Sequence, residues 1–178
     1  MKLINDNLKK AGYFNAALIV IAIIMKLVTF FNVPTLVKID SVLCVAALVF
    51  GLFYSLNGYK KDAAKYYKGF MYLYFASNII SLLVPLLAPM FEKVNYFIVS
   101  INAIILILAF ILTFIKDLGV NKSTILSMLI LLLNVIKLFY NVANKTTIQA
   151  GFSNLILACI LCVFVSAKYA DKASRGAK

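Results

Sequence analysis

Two lysines, Lys26 and Lys137, stand inside apolar runs long enough to cross a bilayer. A charged side chain at that depth is costly, and it is kept where it binds an ion, relays a proton or meets another charge. The run around Lys137 also carries Ser127, Asn134, Asn141 and Asn144. Counted through Lys137, these follow steps of 7, 3, 4 and 3 residues, which align on one face of a helix. Similar stripes are Asn95, Asn102, Ala109 and Thr113 on the fourth run, and Ala11, Asn15, Ala22, Lys26 and Thr29 on the first. Ala150, Asn154, Ala158 and Cys162 make a further one on the sixth. Unpaired polar groups in hydrocarbon are costly, so such stripes face the interior of a bundle. With Asn78 of the third run, the candidate ligand-binding set is Lys26, Asn78, Asn102, Asn134, Lys137, Asn141 and Asn154. The competing explanation is structural. Asn and Ser can hydrogen-bond helices together, and both lysines, about 8–9 Å below the membrane edge, can snorkel outward.

The charge balance decides what such a set would bind. No carboxylate lies deep in any run, and Asp40, at the start of the second, is the one plausible acidic partner. Either one lysine pairs with Asp40 or the pocket is net positive. A net-positive pocket suits an anionic or carboxylate-bearing ligand and suits a cation channel badly, since cation filters use acidic or carbonyl rings.

Catalytic chemistry finds no support. The chain has no His and no Trp, no embedded acid pair, and no Ser or Cys beside an evident base. A desolvated lysine can form a Schiff base, but nothing flanks either one to complete that chemistry. No phosphate-cradling loop is present, so ATP-driven work would need a partner. Cys159-Ile-Leu-Cys162 has C-x-x-C spacing, but it sits in an apolar helix with no second pair for zinc. Such cysteines act as small packing residues. The expectation is a non-enzyme with no cofactor and no metal.

The elements that must position these groups follow from hydropathy. The chain has 178 residues, 64% of them hydrophobic, and a mean hydropathy of +0.99. A hydrocarbon core needs roughly 20 apolar residues per helix. Six runs meet that length, at about 12–31, 39–57, 69–90, 95–115, 123–143 and 148–168. The fold expected is an all-α integral membrane protein, one domain of six transmembrane helices. Asn32-Val33-Pro34 should end the first helix, Asn57-Gly58 the second, and Pro85 and Pro89 should bend or close the third. Gly119 and Asn121 should separate the fourth from the fifth. The first run is too long for a signal-peptide core and lacks a following cleavage site, so it reads as a retained helix.

Basic residues give the orientation. One side carries Lys2, Lys9, Lys10, Lys60, Lys61, Lys65 and Lys68, then Lys116, Lys122, Lys168, Lys172, Arg175 and Lys178. The other side carries only Lys38, Lys93 and Lys145. The positive-inside rule then places both termini in the cytoplasm, in a multi-pass plasma-membrane protein. The net charge of +12 follows this topology and calls for anionic lipid, not nucleic acid. The basic and aromatic segment Gly58–Lys68 would suit a nucleic acid or a protein partner. It reads better as an interfacial turn or helix, with Tyr at headgroup level and Lys on lipid. Abundant Lys, Ile and Asn beside a single Arg point to an AT-rich, bacterial coding sequence.

In architecture the chain resembles the substrate-binding S components of energy-coupling-factor vitamin transporters. The shared features are the length, six helices and polar groups gathered toward the outer leaflet. That resemblance implies an outward pocket, a separate ATPase assembly as partner, and a small-residue motif on the first helix that contacts the coupling subunit. Gly12-Tyr-Phe-Asn-Ala16 offers small residues at i and i+4, and no vitamin-specific motif is present. The reading from the residues is thus a small-molecule binding or transport subunit. Two alternatives stand beside it: a regulatory, immunity or scaffold protein acting through helix contacts, and an oligomeric anion-permeable pore.

Overall fold

A computed structural model describes residues 2–31, 33–87, 95–115, 118–144 and 148–176, except the side chains at 2–5, 29, 148–150 and 170–176. Asn32, Pro89, Lys93, Lys116, Lys145 and Lys178 lie outside the described residues, as do the side chains of Lys2, Ala150, Lys172 and Arg175. Six helices are long and apolar enough to cross a membrane. They are α1 (Lys2–Phe30), α2 (Thr35–Leu56), α3 (Ala64–Leu87), α4 (Tyr96–Phe114), α5 (Gly119–Ala143) and α6 (Ile148–Gly176). The protein is an all-α six-helix bundle of multi-pass membrane type. Each helix packs on its neighbours in sequence, and α6 returns to pack on α1, closing the ring. Neighbouring helices run antiparallel, so the start of α1 and the end of α6 lie at one end of the bundle with the α2–α3 turn, and the end of α1 and the start of α2 lie at the other.

Several expected boundaries move. α1 and α6 run well past the apolar stretches, to Lys2 and Gly176. Hydropathy marks where lipid ends and not where a helix must end, and the Lys- and Ala-rich flanks are good helix formers. The segment Gly58–Lys68 is mostly helical, with a 3-10 turn at Lys61–Ala63 leading straight into α3. Pro85 lies inside α3 and does not close it. Gly119, at φ +68°, begins α5, so Asn121 is helical and does not separate α4 from α5. A single Asn costs a helix under about 1 kcal/mol.

The end of α2 agrees with its sequence signal. Gly58, at φ +62°, donates its N–H to the Ser55 carbonyl at 2.9 Å, and Tyr59 donates to the Tyr54 carbonyl at 3.2 Å. This is a Schellman closure, which needs a left-handed residue where glycine carries no Cβ penalty. The Tyr54 and Tyr59 rings meet at 5.1 Å, supplying the apolar contact that accompanies the motif. The same turn helps wall the core at the basic end. There Phe164 of α6 lies edge-on to Tyr54 at 5.2 Å and to Phe70 at 4.8 Å.

Gly12 sets the spacing of α1 on α2. A Cβ there would lie 2.5 Å from the backbone oxygen of Ser55, a contact no rotamer can relieve. Gly12→Ala should therefore lower stability by about 1–3 kcal/mol, the usual cost of overpacking. Thermal unfolding in detergent reads this directly, and an unchanged midpoint would show that α1 slides freely on α2.

Candidate functional site

Five helices contribute to one polar network at the end of the bundle opposite the termini. It begins at Lys26 on α1, four residues before that helix ends. Its Nζ lies 3.7 Å from Asp40 Oδ2 on α2, and the two side chains are only 8% and 10% exposed. Asp40 Oδ1 accepts hydrogen bonds from Ser77 Oγ at 2.6 Å and Ser81 Oγ at 3.3 Å, both on α3. Cys44 Sγ, one turn along α2, sits 3.0 Å from Ser77 Oγ. The Ser81 carbonyl accepts from Asn102 Nδ2 of α4 at 2.8 Å, and Asn102 Oδ1 accepts from Lys137 Nζ of α5 at 2.8 Å. A carboxylate in a low-dielectric interior persists when a cation and hydroxyl donors surround it, as they do here.

The described residues settle which lysine is matched. Lys26 pairs with Asp40. Lys137 is half-buried and donates to a neutral amide. Two lysines against one carboxylate leave this network with a formal charge of +1.

Beside Lys137 the network opens into a small cavity. Its walls are Tyr74, Ser77, Asn78 and Ser81 of α3, Asn102 and Ile105 of α4, Asn134 and Lys137 of α5, and Asn154 and Leu157 of α6. Five of the seven candidate residues thus meet at one place: Asn78, Asn102, Asn134, Lys137 and Asn154. Lys26 does not line the cavity; its ion pair with Asp40, which Ser77 and Ser81 also bond, connects it to the cavity wall. Asn141 does not line it either. Its Nδ2 faces Gly151 on α6, so it belongs to the α5–α6 contact. At the ends of the stripes, Asn144 and Ala11 are exposed. Asn144 is the C-cap of α5, and Ala11 lies toward the exposed end of α1.

The asparagines divide into two kinds. Asn102 bridges α3 and α5, while Asn15 bonds Ser55 across α1 and α2. Those two fit the role of interhelical glue. Asn78 and Asn134 instead donate back to the carbonyls of Tyr74 and Ile130 one turn earlier on their own helices, each at 2.8 Å. Asn154 makes no hydrogen bond to a described residue. Among the described residues, then, these three amides on the cavity wall bridge no two helices.

The cavity holds about 10 Å³, room for roughly one water. About one turn along α5 from Lys137, the Tyr140 hydroxyl accepts from Asn95 Nδ2 of α4 at 3.0 Å, and its ring lies 4.6 Å from Phe97. Of the sequence neighbours, α4 and α5 touch least, and this seam lies directly above Lys137 and Asn102.

Neither Ser77 nor Cys44 was legible as a site residue. One signal was present: Asp40 and Cys44, and Ser77 and Ser81, are i, i+4 pairs that present donors and acceptor on facing stripes. Among the described residues no group of three His, Cys, Asp or Glu could hold a metal. Cys159 is exposed and Cys162 donates to the Ser127 carbonyl at 3.2 Å, so the C-x-x-C pair does not form one site.

Fold and site together define a class: a polytopic membrane bundle with a buried ion pair and an adjoining cationic polar cavity. The chain matches no protein-family model, no curated protein and no solved structure.

Proposed function

We propose that the protein is the small-molecule binding subunit of a membrane transport system, taking an anionic or carboxylate-bearing ligand from the outer side. The observation that carries this reading is Lys137. It is the cation left over once Lys26 has met Asp40, and it sits on a cavity wall with three amides that bridge no helices. An ammonium has three donors, and Lys137 gives one to Asn102, so an anion would find further donors there. A ligand larger than water enters only if the α4–α5 seam parts at Tyr140. Retained binding energy then comes from charge and amide contacts in a site already desolvated. The lack of any phosphate-cradling loop in this chain leaves energy coupling to a partner such as an ATPase assembly. Nothing in this reading involves catalysis or nucleic acid.

Native mass spectrometry of the protein purified from its own host in mild detergent tests the proposal. A bound small anion, or an ATPase-type assembly, supports it and identifies the cargo or the partner. A bare monomer, or a complex with one unrelated protein, overturns it in favour of a protein acting through helix contacts. A symmetric homo-oligomer points to a pore.

The orientation rests on the distribution of Lys and Arg and has its own check. Lys61→Cys, in the 3-10 turn before α3, should react with an impermeant thiol reagent only from the cytoplasmic face. Labelling from outside reverses the topology, and with it the side from which ligand arrives.

A further inference from the structure

A large space in the half of the bundle near the termini belongs to none of this. A cavity of about 370 Å³ lies between α3, α4, α5 and α6 at the basic end. That volume is within the range of small-molecule sites, roughly 300–1,000 Å³. Lys68 of α3 and Lys168 of α6 line it. Lys168 Nζ stands 4.8 Å from the centre of the Tyr67 ring and 5.7 Å from that of Tyr169, so aromatic faces hold the ammonium at the cavity. Hydroxyls complete the polar side. Ser123 Oγ and Tyr169 Oη are 2.8 Å apart, and whichever donates, the other keeps a proton to give. Tyr67, which also lines the cavity, makes no hydrogen bond to a described residue.

The opposite wall is apolar and leads out of the cavity. Phe114 and Tyr72 line it with their rings 5.7 Å apart, and Phe114 continues into Phe110 at 5.0 Å and Phe75 at 5.2 Å. Tyr72, Phe110 and Phe114 are exposed on the α3–α4 surface, so the aromatic row faces the place where lipid chains run. Two ammoniums and free hydroxyl donors at headgroup depth, continuous with an apolar lane at acyl depth, make a two-part surface. Its occupant needs an anionic oxygen-rich head and a hydrocarbon tail.

We propose that this cavity is a specific site for one anionic phospholipid, its phosphate held by Lys68, Lys168 and the Ser123–Tyr169 hydroxyl pair, its acyl chain laid along Tyr72, Phe114 and Phe110. The site is separate from the Lys137 cavity, and neither reading depends on the other. Basic pockets between helices at a membrane interface hold such headgroups by charge, at about fivefold in affinity for each lysine near the surface.

The test is a native mass-spectrometric titration of the delipidated full chain with phosphatidylglycerol and, separately, phosphatidylcholine of the same acyl chains. One tightly held phosphatidylglycerol is expected, preferred at least tenfold over phosphatidylcholine. Lys68→Gln with Lys168→Gln should weaken it roughly thirtyfold, while Lys68→Arg with Lys168→Arg should keep it. If the double glutamine variant does not fold, Lys68→Gln alone, at an exposed side chain, should still lose about fivefold. Lys9→Gln with Lys10→Gln, at the same end but on α1, should leave the tight site untouched. Unchanged binding in the Lys68 and Lys168 variants overturns the proposal, as does an equal loss in the Lys9 and Lys10 control, which would reduce the effect to general surface charge. Glycerol phosphate should compete only at more than a hundredfold excess over the lipid. Equal competition assigns the cavity to a soluble phosphate ester and overturns the lipid.

Discussion

Asp40→Ala is expected to be the most destabilising single change in the bundle, by about 3–5 kcal/mol, the usual cost of removing one partner of a buried ion pair. The loss has several parts. Lys26 forfeits the carboxylate 3.7 Å away, and the hydroxyls of Ser77 and Ser81 lose the acceptor that ties α3 to α2. Replacing both charges, as in Lys26→Met with Asp40→Leu, should recover most of that loss, because a packed apolar pair costs no desolvation. Unfolding midpoints of Lys26→Met, Asp40→Leu and the double variant form a cycle. A coupling near zero would mean that Lys26 and Asp40 are neighbours without being partners. Asp40→Asn should fall between wild type and Asp40→Ala, since an amide can still accept from Ser77 but carries no charge for Lys26.

Lys137→Met is expected to separate stability from binding. Losing its hydrogen bond to Asn102 costs about 1.5–3 kcal/mol, as for bonds to charged groups. Removing an ammonium from membrane depth returns about 2.5–3.5 kcal/mol. The two nearly cancel, so the unfolding midpoint should move little. Ligand binding should fall by a hundredfold or more, because the unmatched charge that draws an anion is gone. Asn134→Ala should behave in the same way, since its amide donates only to its own helix at Ile130. The ligand identified by native mass spectrometry is then titrated against both variants. Wild-type affinity in both would remove the cavity from consideration as the binding site. A large drop in stability without loss of binding would show that Lys137 is there to hold α4 to α5.

Lys26 and Lys137 together illustrate how far a linear chain discloses a membrane site. Their embedded positions were legible because hydropathy in a bilayer is unforgiving: any charge within twenty apolar residues stands out. The stripes on α4 and α5 were legible for the same reason, since 3.6-residue periodicity places Asn102, Asn134 and Lys137 inward whatever the neighbours are. Asn141 lies on the α5 stripe and Lys26 on that of α1, yet neither was separable from the cavity set. A stripe says which way a side chain faces and not which helix meets it. Asn141 meets Gly151, and Lys26 is taken by Asp40.

The residues alone determined the class: six membrane-length spans, with an interior polar set at one end and a basic end opposite. Each of these depends on transfer free energy and helical period, which act residue by residue along the chain. Tertiary structure decided the pairing. Ser77 became a ligand of Asp40, Lys137 became the unmatched cation, and Lys68 came to share a cavity with Lys168, a hundred residues away in sequence. Those outcomes depend on how α3 faces α2 and α6, a relation between helices that their own sequences do not carry.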